Sequence, residues 1–103
     1  MSFNGNESSA ISLAVATEMT SDYRTNNPNE TKAHFFGKNK LMDILNQNGC
    51  VGIRAYYGID ADGNKQLVFV GADADEKDLY SGVILDMSAP CPSNCDNTSP
   101  LNG

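Results

Sequence analysis

Apolar and polar positions alternate most regularly between Gly49 and Gly71. Val51, Ile53, Ala55, Tyr57 and Ile59 share one face of an extended strand, and Gly52, Arg54, Tyr56 and Gly58 share the other. The turn cluster Asp60-Ala61-Asp62-Gly63-Asn64 follows, and then Lys65-Gln66-Leu67-Val68-Phe69-Val70-Gly71. Two β-rich runs around an Asp-Gly turn predict a β-hairpin. Its second strand is apolar on both faces, through Leu67 and Phe69 and through Val68 and Val70, which is the pattern of a central strand. Something must therefore cover the second face: a helix, the C-terminal segment or another subunit.

The flanking pattern is helical before the hairpin and irregular after it. Ile11, Val15, Met19 and Tyr23 recur every four positions, with Ala10 and Ala14 beside them, and predict an amphipathic helix over 9–24 capped by Ser8 or Ser9. Thr25-Asn26-Asn27-Pro28-Asn29 ends it. Residues 31–36 read as a short strand that Gly37 breaks. Leu41, Ile44 and Leu45 predict a second helix over 38–47, and Asn48-Gly49 supplies its stop. After the acidic loop 73–78, the run 82–87 reads as a third strand. The expectation is an α+β fold, two N-terminal helices packed on a small antiparallel sheet of three to four strands built around a central β-hairpin. Residues 1–7 form an N-terminal tail, 8–89 one domain and 90–103 a Pro/Cys/Asn-rich C-terminal tail.

Composition narrows the function classes. The net charge of −6 lies in the second half, where eight acids face only Lys65 and Lys77, whereas residues 1–57 balance five acids with five bases. Such a chain repels phosphate backbones, so duplex nucleic acid is not an expected partner. No run of apolar residues is long enough for a spanning helix, and the first residues lack a basic stretch followed by an apolar one. No membrane partner is expected, and the default location is cytoplasmic.

Four constellations bear on chemistry. Lys38 and Lys40 open the second helix, where backbone N–H groups favour anions, and Arg54 and Tyr56 share a strand face with two glycines that let a flat ligand approach. Lys38, Lys40, Arg54 and Tyr56 are thus the candidate patch for a small anionic or nucleotide-like ligand. His34, Cys50, Cys91 and Cys95 can make a four-ligand zinc set, but only Cys91 and Cys95 form a tight pair. A Cys91–Cys95 disulfide is the alternative, although a reducing cytoplasm would not keep it. The reading preferred on sequence makes Cys50 a packing residue and the other two tail thiols, with no metal and no cofactor. Asp60-Ala61-Asp62-Gly63-Asn64 lacks the glycine and glutamate positions of a calcium loop, so it and the 73–78 run are solvated turns. With one histidine and neither a Gly-x-Ser-x-Gly nor a His-Glu-x-x-His motif, no catalytic residue is assigned.

His34-Phe35-Phe36-Gly37-Lys38, Gly49-Cys50-Val51-Gly52-Ile53-Arg54, Tyr56-Tyr57-Gly58, Leu67-Val68-Phe69-Val70-Gly71 and the closing Pro90-Cys91-Pro92-x-x-Cys95 resemble small uncharacterised proteins of Bacteroidota. The resemblance covers residues 34–95 and implies a lineage without an activity, site or partner.

The leading expectation is a non-enzymatic protein-interaction or self-assembly module, with a protein partner or a second copy of the chain covering the open face. The alternatives are a binder of small anionic or nucleotide-like ligands and a zinc or thiol/disulfide protein using Cys50, Cys91 and Cys95.

Overall fold

The computed structural model describes residues 2–103. It is α+β, with two helices and two small antiparallel sheets. The order is α1 (Leu13–Asn26), β1 (Ala33–Phe35), α2 (Lys38–Leu45), β2 (Gly52–Ile59), β3 (Lys65–Ala72), β4 (Ile84–Leu85) and β5 (Ala89–Cys91). The expected single sheet of three to four strands is replaced by a three-stranded sheet, β2-β3-β4, and a separate pair, β1-β5. The second sheet exists because Ala89–Cys91, within and beside what reads as tail, pairs with β1 in the register Ala33↔Cys91, His34↔Pro90 and Phe35↔Ala89.

The chain divides into two compact units, residues 1–7 with 36–88, and residues 8–35 with 89–103. In the first, β2 and β3 pair from Gly52↔Ala72 to Ile59↔Lys65. The register puts Ile53 beside Gly71, Ala55 beside Phe69 and Tyr57 beside Leu67 on one face, and Arg54 beside Val70 and Tyr56 beside Val68 on the other. The turn is held by its own first residue: Asp60 Oδ1 accepts from the N–H groups of Asp62 (3.0 Å) and Asn64 (2.9 Å), while Gly63 takes φ +84°.

Ile44 of α2 is the most deeply buried side chain, at 0% exposure, and it sits against Gly71. A methyl group at Gly71 would lie 3.0 Å from Cys50 Sγ and 3.2 Å from Ile44 Cγ2, so the absent side chain is what lets the helix end close on the strand. Gln47 fastens the same joint, its Nε2 donating to Ile44 O (3.0 Å) and its Oε1 accepting from Val83 N–H (2.8 Å). Phe36 stacks on Phe69 with ring centroids 3.9 Å apart.

This cover stops partway along the sheet. Eight residues of helix reach about 12 Å, while eight residues of strand run about 26 Å. The face expected to be core throughout is therefore bare at its far end, with Tyr57 95% and Ile59 75% exposed.

The second unit has little apolar core, Cys91 being its one buried residue. The cap of α1 is Ser12, whose Oγ accepts from Val15 N–H at 3.1 Å, so the helix starts later than the expected Ser8 or Ser9. No residue of α1 is buried, and Val15, Met19 and Tyr23 of its expected apolar stripe are exposed, as is Ile11 ahead of the cap. The unit is held instead by polar and covalent ties. Lys32 N–H donates to Cys91 O (2.6 Å), Arg24 Nη1 donates to Leu101 O (2.7 Å), and a disulfide joins Cys91 to Cys95 across a Cα–Cα distance of 4.8 Å.

Candidate interaction site

The strand alternation that makes β2 also decides what each of its faces and edges offers. Arg54 and Tyr56, two residues apart, project on the same side, and the chain returns there through a second turn, Asp73-Ala74-Asp75-Glu76-Lys77. That turn repeats the chemistry of the first: Asp73 Oδ1 accepts from Asp75 N–H (2.9 Å) and Lys77 N–H (3.0 Å), and Glu76, in the place of Gly63, takes φ +67°. The turn delivers Asp78, bridged to Ala72, beside the strand.

Asp78 then takes both side chains. Its Oδ1 pairs with Arg54 Nη1 and its Oδ2 accepts the Tyr56 hydroxyl. Arg54 Nη1 also donates to Glu76 O at 3.2 Å, and the Phe3 ring lies 5.5 Å from the guanidinium carbon. The Tyr56 hydroxyl, with the Arg54 guanidinium beside it, holds the Asp78 carboxyl below its usual range. Reciprocally, the hydrogen bond to Asp78 keeps the Tyr56 proton in place and pushes that group up, and the same carboxylate raises Arg54. With Arg54 30% and Asp78 22% exposed, this is a self-satisfied clasp rather than an open anion site.

The four residues of the expected ligand patch do not share one surface. Lys38 and Lys40 lie in the first turn of α2, the helix that packs on the Gly71 face through Ile44. Arg54 and Tyr56 project from the opposite face, bound to Asp78. The zinc set fares no better. Cys91 and Cys95 are in the disulfide, and no group of three or more metal-ligating side chains occurs among the described residues. This corrects the preference for tail thiols: a turn folds Cys95 back to Cys91, Asn94 N–H donating to Pro90 O at 2.9 Å, and spacing alone did not reveal that return. Cys50 donates its thiol to Gly52 O (3.2 Å) beside Gly71 and acts as a packing residue.

Two shallow hollows of about 420 Å³ add no reactive group. One is lined by Gln47, Asp73, Asp78 and Tyr80, and the other by Arg24, Glu30 and Lys32. Asp73, Asp78, Gln47 and Arg24 are all engaged within their own unit.

What remains open is an edge. β2 has β3 on one side and no strand on the other among the described residues. Because Asp60 N–H donates to Asn64 O (2.9 Å), the paired positions of the ladder are the even-numbered residues of β2. Residues 53, 55, 57 and 59 consequently aim their N–H and C=O groups outward. This edge has no proline, one charge already clasped by Asp78, and exposed Tyr57 and Ile59. It lacks most devices by which sheet proteins blunt an edge. Asp78, expected in a solvated turn, is instead bound to Arg54 and Tyr56, and Phe3 was not expected at the site; the likeness of Asp73-Ala74-Asp75 to Asp60-Ala61-Asp62 is the signal that a second tight turn returns the chain to the sheet.

No helix among the described residues is long and apolar enough to cross a membrane. No protein-family model matches the chain, and neither a curated protein nor a solved structure does.

Proposed function

We propose that the chain is a non-enzymatic interaction module that captures an extended strand of another polypeptide on the outer edge of β2. The observation that carries this is the combination of outward backbone groups at residues 53, 55, 57 and 59 with Tyr57 and Ile59, 95% and 75% exposed. Main-chain hydrogen bonds would supply the binding, and the bare sheet face would take alternate side chains of the incoming strand. The clasp of Arg54, Tyr56 and Asp78 supports the reading by stiffening the strand and neutralising its one charge. A small anionic ligand has less support, because Arg54 is committed to Asp78 and the helix lysines belong to the other face. The disulfide removes the thiolates that a zinc site would use.

The test uses an Ala55→Pro variant, which deletes an outward N–H without touching the β2-β3 ladder. A fluorescein-labelled peptide of alternating threonine and valine is titrated against both proteins by anisotropy. Saturable binding to the wild type, weakened about tenfold or more by the proline, supports strand capture. Equal binding to the two proteins, or none to either at concentrations where the wild type sediments as a monomer, refutes it.

A further inference from the structure

Resting on that reading, we infer that the strand captured by β2 is β2 of a second copy, paired antiparallel about a two-fold axis through Tyr56 to give a continuous six-stranded sheet. Around such an axis, opposed residues must project on the same face, so a residue can meet only partners of its own odd or even class. Two registers leave the strand well overlapped, one centred on Ala55 and one on Tyr56.

The hydrogen-bond pattern chooses between them. With the axis at Tyr56, Ile53 opposes Ile59 of the second copy and Ala55 opposes Tyr57, so every outward-facing residue of β2 finds an outward-facing partner. With the axis at Ala55, Ile59 would oppose Val51, whose N–H already donates to Ala72 O at 2.9 Å within its own sheet. That register forfeits a pair. Side-chain sizes favour the same choice. Bulky Tyr57 meets Ala55, Arg54 meets Gly58, the two isoleucines meet each other, and the two Tyr56 rings meet at the axis in a non-hydrogen-bonded position, where side chains approach most closely.

Charge permits the approach. The excess of −6 sits elsewhere: β2 contains no acid, and each Arg54 is offset by its own Asp78. Two copies can therefore present uncharged edges to each other although the whole molecules repel, and raising the salt concentration should strengthen the dimer.

Sedimentation velocity over rising concentration provides the first measurement, with a concentration-dependent dimer expected. Ala55→Pro and, in case that variant unfolds, Ile59→Lys should each weaken association about tenfold or more. Register is read by oxidative cross-linking in a Cys50→Ala background. An equimolar mixture of Ala55→Cys and Tyr57→Cys chains should give a covalent dimer, and Ala55→Cys alone should not. A monomer at every concentration overturns the inference, and so does efficient cross-linking of Ala55→Cys to itself. If the threonine-valine peptide still binds a strictly monomeric protein, strand capture stands and only self-pairing falls.

Discussion

The joint between α2 and β3 gives a sharp test of what holds the first unit together. Ile44 is fully buried against the backbone of Gly71, so truncation to alanine leaves a space that a glycine cannot refill. Ile44→Ala should cost about 2–5 kcal/mol, the sum of lost transfer energy and an unfilled cavity. That is a large part of the roughly 5–15 kcal/mol by which a small domain is stable. Gly71→Ala errs in the opposite direction. Its methyl would sit 3.0 Å from Cys50 Sγ and Gln47 Nε2, closer than ordinary van der Waals contact, and the overpacking should cost about 1–3 kcal/mol. Because the new methyl points into the space that the isoleucine vacates, the double variant should be more stable than the two losses predict, by at least about 0.5 kcal/mol. Urea unfolding followed by tyrosine fluorescence is suitable, since the chain has four tyrosines and no tryptophan. Leu45→Ala, at a 42% exposed position on the same helix, is the control and should cost much less. Strict additivity of the pair, or an Ile44→Ala loss no larger than that of Leu45→Ala, would refute this account of the joint.

Three further outcomes are expected. Gly63→Ala forces a side chain into left-handed backbone and should cost about 1–2 kcal/mol in the same assay, whereas Gly52→Ala, in open space at an ordinary strand position, should cost little. Stability should have an acid limb and an alkaline limb, both visible in thermal melts across pH. Asp78 is lowered in the fold, so its contribution is present above its unfolded pKa and disappears as pH falls below about 4, and Asp78→Asn should flatten this limb. Tyr56 is raised, so its contribution is complete below its unfolded pKa and is lost above about pH 10, and Tyr56→Phe should flatten that limb. Thiol titration of the native protein should find Cys50 alone, and all three cysteines after reduction, with hydrogen exchange in residues 89–103 accelerating as the disulfide opens.

The disulfide also bears on where the chain works. The Cys91–Cys95 bridge is of a kind that a reducing compartment would not keep. The cytoplasmic expectation came from the lack of a basic stretch followed by an apolar one in the first residues, and the thiol titration bears on it as well.

Local chemistry was legible in the letters wherever near neighbours determine it. Asp60 and Gly63 specify a turn because one carboxylate can accept two nearby N–H groups and glycine tolerates positive φ. The spacing of Leu41, Ile44 and Leu45 specifies a helix, of which Ile44 is the buried residue. From such features the sequence by itself determined the α+β class, two helices and a β-rich centre. Only the tertiary structure decided the rest, because it depends on reach and on returns of the chain that no spacing encodes. The alternation of β2 could not tell that α2 closes on the sheet at Gly71 and leaves Tyr57 and Ile59 bare. The apolar spacing of Ile11, Val15, Met19 and Tyr23 could not tell that no residue of α1 is buried. Nor could an acidic run show that Asp78 returns to clasp Arg54 and Tyr56, or a polar tail that Cys91 pairs with both β1 and Cys95. Where the chain returns, and how far a helix reaches, decide which apolar positions become core and which stay exposed.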